Sequence, residues 1–390
     1  MSSPGRLLEI LTNKGAVLPE WKDAVASVDR KLFVPDTIEV DDRPLSRGER
    51  PERWLTVVYG DLPLVTQIND GRDLGEDAYR LPTSSSSMPS LMLEMLQLLD
   101  VHEGHRVMDA GAGTGYNLAW LAHRLGSGDV FGIDVDPAIV GQAIKNLASA
   151  GYSPHVVCGD AEKGYPDGAP YDRWLATFTV PEIPYAWVEQ TPAGRIVAPW
   201  GGSYHSYSFA VLDVRDGVAE GRFSGYPAFM RSRTNRPPRG YLHDFLHHQD
   251  DAVRSTTTVS PRDLEAEYEA KFFIGLGLRD AWSLLVEAND GSDEATLWVL
   301  ADDRKSWASV DYVPGHDTFT VEQYGPRRLW DEVEAGYRKW EALGRPDRDR
   351  AGLTVTRDGQ RVWLDAAPAD RGEGPQAPPP LSGHTVTSSM

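Results

Sequence analysis

The residues best suited to chemistry fall in three short runs. The first is VMDAGAGTGYNLAWLA (Val107–Ala122), where Gly111, Gly113 and Gly115 alternate at the point where an apolar strand pattern gives way to a helical one. Glycine there permits a tight turn and lets a ligand approach the backbone without a Cβ in the way. A phosphate loop would need Gly-Lys-Ser/Thr, which is missing, and a dinucleotide fingerprint would want glycine where Tyr116 stands. Carboxylates accompany the loop: Asp109 in the strand before it, Asp134 at the end of the next strand pattern, and Asp160 after a third. A carboxylate in the position of Asp134 can accept hydrogen bonds from two ribose hydroxyls, and one at Asp160 can meet an adenine amino group. Three such features on three successive strand ends are hard to ascribe to incidental acids.

The second run is LPTSSSSMPSLMLEML (Leu81–Leu96), with Ser84–Ser87 directly before a helical apolar pattern. Serines in that place cap a helix or form a flexible approach, or else present a row of hydroxyls to a substrate. The residues alone leave both readings open. The third run, Met230–Asp251, concentrates Arg231, Arg233, Arg236, Arg239, His243, His247 and His248 in an otherwise acidic chain. It reads either as a basic patch for an acidic peptide or as a loop whose arginines pair with the chain's own acids. Two histidines without a third ligand do not make a metal site, so no metal is expected.

The elements that must position these residues follow from periodicity. Strand patterns at RVMDAG, VFGIDV, HVVCGD, RWLATF and GRIVAPW alternate with helical ones, which predicts a mostly parallel α/β sheet covered on both faces. Met88, Leu91, Met92, Met95, Leu96 and Leu99 mark one buried helical face. Residues 1–80 read as a helical and loop-rich extension, and 81–212 as the parallel-sheet domain. From 213 to 365 alternating runs such as SLLVEA, TLWVLA and WASVDYV predict an accessory α+β domain. The Pro- and Gly-rich end, 366–390, reads as a disordered tail.

Composition narrows the function. With 58 acidic against 39 basic residues the formal net charge is −19, which disfavours nucleic acid and anionic membranes as partners. The single cysteine, Cys158, excludes an intramolecular disulfide. The N-terminus lacks the apolar stretch of a signal peptide, and no run is long enough for a membrane span. A cytoplasmic location is therefore expected. Oligomeric state is not legible.

The glycine loop and its three acids resemble class I S-adenosylmethionine methyltransferases, a Rossmann-like fold. The resemblance implies that Asp109, Gly111, Ala112, Gly113 and Asn117 hold the methionine part of the cofactor. Asp134 and Val135 would then hold the ribose, and Asp160 and Ala161 the adenine, with S-adenosylhomocysteine as product. Further motifs narrow it: LLEILTNKG…VDRKLFVPD, YGDLPLVTQI, GDAEKGYPDGAPYDRW and EIPYAWVEQTPAGRIVAPWG occur in the order seen in protein-L-isoaspartate O-methyltransferases. The likeness covers residues 5–202, roughly half the chain. In that family Gln-Thr-Ile-Ser-x-Pro precedes the helix. With its proline set on Pro89, Ser87 matches the serine that contacts the substrate carboxylate, and Ser85 replaces the threonine. Ser85 and Ser87 are thus the expected catalytic pair. Ser84, Ser86, Met88, Arg231, Arg233 and His243 are the further residues expected to touch substrate.

The departure at the serines, the length beyond the sheet, GPRRLWDEVEAGYRKW and RAGLTVTRDGQRVWLD resemble a long-form branch of the family. That branch is associated with ribosomally made, modified peptides: graspetides, lanthipeptides and lasso peptides. The branch implies methylation of an Asp side chain in a crosslinked peptide, giving an ester that closes to an aspartimide and can open to isoaspartate. The alternatives are a housekeeping enzyme that repairs isoaspartate in damaged proteins, a small-molecule methyltransferase, and a non-catalytic binding protein on the same fold.

Overall fold

The computed structural model describes residues 3–367 apart from Asp42, Glu76, Asp77 and Ser206. The N-terminal part folds as helices α1 (Pro4–Asn13), α2 (Lys22–Ser27) and α3 (Pro51–Val58) around a four-stranded sheet. Its strands are β1 (Thr37–Val40), β2 (Arg43–Ser46), β3 (Leu64–Ile68) and β4 (Pro82–Ser86), in the order β2-β1-β3-β4. Most of the serine run is therefore a strand. Helix α4 (Pro89–Leu99) begins only after it, with Met88 at the N-cap and no side-chain cap. Pro89 in its first turn needs no donor there. The face that carries Met92, Met95, Leu96 and Leu99 is buried, as its periodicity predicts.

The main sheet follows. Strands β5 (Val107–Ala110), β6 (Val130–Asp134), β7 (His155–Cys158), β8 (Arg173–Ala176) and β9 (Arg195–Trp200) pair in parallel, in the order β9-β8-β5-β6-β7. They alternate with helices α5 (Tyr116–Leu125), α6 (Pro137–Ser149) and α7 (Tyr185–Gln190). This is the expected class I methyltransferase sheet. Beyond it, β10 (Ser208–Arg215) and β11 (Val218–Ser224) continue the sheet as an antiparallel hairpin.

A second, five-stranded antiparallel sheet comes from β12 (Val253–Thr257), β13 (Ala281–Glu287), β14 (Ala295–Ala301), β15 (Trp307–Tyr312) and β16 (Phe319–Tyr324). Helices α8 (Pro261–Ala266), α9 (Tyr268–Gly277) and α10 (Leu329–Ala342) accompany it. The chain then returns. Strand β17 (Ala351–Thr356) pairs with β11, and β18 (Gly359–Leu364) closes the edge of the nine-stranded sheet.

The expected boundary between 212 and 213 thus falls inside β10, and 351–364 belongs to the main sheet. One apolar cluster explains why. Trp174, Trp187 and Ile196 of the parallel region share a core with Leu297, Trp330 and Leu353. The opposite face packs against the N-terminal helices through Leu7, Val25, Leu96 and Trp120. Of the stretch read as a tail, 368–390 lies outside the described residues. Among the described residues no helix is long and apolar enough to cross a membrane.

One buried cation ties the N-terminal part to the serine strand. Arg30, from the RKLFVP motif, is 0% exposed. Its guanidinium donates to the carbonyls of Val58, Gly60, Leu62, Ser86 and Ser87 and to Ser86 Oγ. Burial lowers its pKa to about 10, which leaves it charged at neutral pH. Replacing it with Met strands those carbonyls without donors, so Arg30→Met is expected to cost about 3–5 kcal/mol in urea unfolding. Arg30→Lys should recover only a minor part, because an ammonium cannot reach carbonyls on both sides of the fork. A loss below about 1 kcal/mol for Arg30→Met would show that the clamp is not limiting.

Candidate active site

The glycine loop is built by close approach. Gly111 has φ +88°, and a Cβ on it would meet Thr177 Oγ1 at 2.7 Å and Phe178 Cδ1 at 2.9 Å, so no other residue fits. Gly115, at φ +89°, starts α5. The amides of Gly111 and Ala112 donate to the Ile133 carbonyl at 2.8 and 3.0 Å. Gly113 N donates to Asp134 Oδ2 at 3.0 Å, which locks the loop to the end of β6.

Asp109 is 1% exposed. Its Oδ2 accepts from Asn117 Nδ2 at 3.0 Å, while Asp109 Oδ1 and Asn117 Oδ1 are buried without hydrogen-bond partners among the described residues. Burial raises the Asp109 pKa to about 7; the Asn117 bond opposes the rise and nearby Asp134 adds to it. Asp134 is also pushed up by burial, although the amides of Asp136 and Gly113 hydrogen-bond to it. Asp160 accepts from Glu162 N at 3.0 Å and lies 3.4 Å from Lys163 Nζ.

These residues wall one cavity of about 770 Å³, together with Ala112, Val135, Ala161 and the whole run Ser84–Met88. The serine hydroxyls are not equivalent. Ser86 Oγ is held by Arg30, and Ser84 Oγ accepts from Thr66 Oγ1 at 3.2 Å. Among the described residues the hydroxyls of Ser85 and Ser87 make no hydrogen bond, and none of the four caps α4. The capping alternative for the run is therefore displaced by a strand with two open hydroxyls at the cavity.

The far wall is a strap, residues 226–239, between the two sheets. It is tied to the end of β8: Thr179 N donates to the Met230 carbonyl at 2.8 Å and Ser232 N to the Thr179 carbonyl at 2.9 Å. Ser232, Thr234 and Asn235 all donate to Glu162 Oε1. Arg233 binds Asp136 at 3.2 Å and Gln67 at 2.8 Å, and lies 3.5 Å from Asp70. Arg236 forks onto Asp70 at 2.8 and 3.3 Å.

Two expectations change here. Arg233 reaches the cavity wall with its guanidinium already engaged by the chain's own acids, so it anchors the strap. His243 is not in the wall at all: it is exposed, stacks on Tyr241 and sits 3.5 Å from Asp244. Arg231 does line the cavity. Sequence reasoning missed the clamp made by Arg30 and the close approach of Thr177 and Phe178 to Gly111, and it did not place Tyr207 and Tyr226 in the cavity wall.

A family model, Protein-L-isoaspartate(D-aspartate) O-methyltransferase (PCMT), matches residues 2–223 of this site-bearing chain. The chain belongs to that family. The protein-L-isoaspartate O-methyltransferase of Hyperthermus butylicus is 31% identical over 229 residues, covering 56% of this chain and 83% of that one. The enzyme of the same name from Methanopyrus kandleri is 36% identical over 230 residues, covering 58% and 88%. A solved structure of a protein-L-isoaspartate O-methyltransferase aligns with TM-score 0.53 at 20% identity, over 93% of this chain and all of that one.

The methyltransferase is S-adenosylmethionine-dependent. Its cavity suits that cofactor: the orphaned acceptors of Asp109 and Asn117 match a cationic amino-acid end, and Asp134 and Asp160 stand ready for hydroxyl and amino donors. The glycines leave backbone where side chains would intrude.

A pH dependence follows from Asp109. In the free enzyme its raised pKa costs stability as pH climbs from the ordinary carboxylate range to about 7. A bound cation favours the ionised form, so below that pH it must displace a proton. Cofactor affinity is expected to fall by up to about tenfold per pH unit below about 7, measured by calorimetry. Asp109→Asn should weaken binding and flatten the profile. A flat profile in the unmodified enzyme would remove Asp109 from the cofactor's contacts.

Proposed function

We propose that this methyltransferase esterifies the side chain of an aspartate in a crosslinked ribosomal peptide. The observation that carries the reading is the serine strand, where Ser85 and Ser87 keep open hydroxyls at the cavity while Ser84 and Ser86 are tied into the fold. Ser87 stands where repair enzymes carry serine and Ser85 where they carry threonine, so both positions keep neutral hydroxyl donors, while the strand around them departs from the repair sequence at Ser84, Ser85 and Ser86.

A carboxylate with a reference pKa of about 4 is ionised at neutral pH, so no general base is required. When bound, S-adenosylmethionine supplies an activated methyl group on a sulfonium. The chain's task is to hold one carboxylate oxygen toward that methyl and to keep water away. Ser87, with Ser85 beside it, orients the carboxylate through hydroxyl donors, which dampen its nucleophilicity less than a bidentate guanidinium would. Asp109, Asn117, Asp134 and Asp160 hold the cofactor. The resulting ester is attacked by the nitrogen of the following backbone amide. Methanol leaves, and the aspartimide can take up water to give isoaspartate.

The second reading, a housekeeping repair enzyme for isoaspartyl proteins, is supported by relatives of that name and by the solved structure that aligns through the C-terminal part. Length alone does not separate the two. Mass spectrometry does: with linear and crosslinked precursor side by side, only the crosslinked one should pass through a methylated species to a product lighter by one water. Turnover of generic isoaspartyl peptides alone would favour repair. In either case Ser87→Ala should lower kcat by about 10- to 100-fold with cofactor affinity unchanged. Unaltered turnover would take Ser87 out of the reaction.

A further inference from the structure

The strap brings two arginines to the cavity that pair directly with no carboxylate among the described residues, although Asp302 faces both at longer range. Arg231 Nη1 donates to Ser203 Oγ at 3.0 Å, and Ser203 donates in turn to Asp302 Oδ2 at 2.5 Å. Arg231 Nε is buried without a hydrogen-bond partner among the described residues. Arg239 lies over the Trp282 ring at 4.8 Å, and among the described residues its guanidinium makes no hydrogen bond. Neither comes within 4.0 Å of a carboxylate there, whereas Arg233 and Arg236 on the same strap are both paired. In a chain of net charge −19, two half-buried cations that share one acid, Asp302, at a cavity wall leave room for a further anion. Asp302 and Ser203 orient Arg231 from behind. Burial lowers the Arg231 pKa while Asp302 opposes that.

Position decides whose anion it is. Arg231 is bridged to Thr179, just past β8. Asp134 and Asp160 stand beyond β6 and β7, on the other side of β5. Arg231 is therefore on the β8 side of the cavity, across β5 from the acids that suit ribose and adenine. A planar guanidinium pair is shaped for a carboxylate. Ser85 and Ser87 supply the gentler grip that a reacting carboxylate needs.

We propose that Arg231 and Arg239 form a specificity subsite for a second carboxylate of the peptide, an Asp or Glu side chain next to the residue that is methylated. This rests on carboxyl methyl transfer to a peptide, but not on whether that peptide is crosslinked. The substrate class is thus an acidic peptide with neighbouring carboxylates, one gripped by arginine and one by serine.

The test uses two pairs of synthetic hexapeptides, one pair with an aspartyl and one with an isoaspartyl residue, each followed by either Glu or Gln. Their binding to full-length enzyme saturated with S-adenosylhomocysteine is measured by calorimetry, for the unmodified protein and for Arg231→Gln, Arg239→Gln and Arg239→Lys. Within a pair that binds, the Glu peptide should bind at least about tenfold more tightly than the Gln peptide to the unmodified enzyme. Each Gln variant should reduce that preference, and Arg239→Lys should keep part of it. Cofactor affinity, measured on the same samples, should stay constant and so report an intact fold. No preference in the unmodified enzyme in either pair, including no binding by any peptide, overturns the proposal. So does a loss of cofactor affinity in the variants, which would assign the arginines to the cofactor's own carboxylate. An equal weakening of both peptides, which would place them on the reacting group, overturns it as well. None of these outcomes bears on the crosslinked-precursor assay.

Discussion

The site rests on a guanidinium buried without a carboxylate. Among the described residues Arg30 has no ion-pair partner. Its charge is met by the carbonyls of the 58–62 loop on one side and by Ser86 and Ser87 on the other. Carbonyl dipoles can satisfy a desolvated cation only when they converge, so the arrangement enforces geometry as well as charge. The link fixes where β4 ends and where the Ser87 hydroxyl begins. Asp61 completes the seat from the same loop: its carboxylate accepts from Ser90 N at 2.8 Å and pairs with Lys14 at 2.7 Å. The first turn of α4 is thereby held by a residue outside the run, and the serines are released from capping it.

That release explains the asymmetry along the strand. Ser84 and Ser86 are buried, at 8% and 3% exposure, and make hydrogen bonds within the fold. Ser85 and Ser87 are only partly buried. Alternation with period two is what a strand imposes, and it turns four identical residues into two structural hydroxyls and two open ones. A helix cap or a flexible linker would not sort them this way.

The parallel sheet, its glycine loop and the three acids were legible in the sequence because each depends on local pattern. The strand-to-helix switch at Gly111–Tyr116 announces the turn, and the acids sit at countable strand ends. Residues whose meaning depends on distant partners were not legible. Ser84–Ser87 lack the alternation of apolar residues that marks a strand, since their pairing with β3 is set by the clamp behind them. Arg231 and Arg233 are two apart in one loop and read alike. The presence of Asp136 and Asp70 near one, and their absence near the other, is a tertiary fact. The expected break at 212–213 failed for the same reason, because a change from parallel to antiparallel pairing does not require a change of sheet.

The return of β17 and β18 to the main sheet bears on how substrate choice is built. The strap leaves the sheet after β11, crosses the cavity and enters the second sheet at β12, so one end is held by the shared core through Phe223 and the other by the pairing of β12 with β16. Its middle is pinned to Asp136, which also caps α6 through the amides of Ala138 and Ile139 and donates its own amide to Asp134. The strap's anchor and the acid suited to ribose are thus joined by one backbone-amide hydrogen bond. The part of the chain beyond the family's usual length acts as a wall of the reaction cavity, whichever peptide enters it.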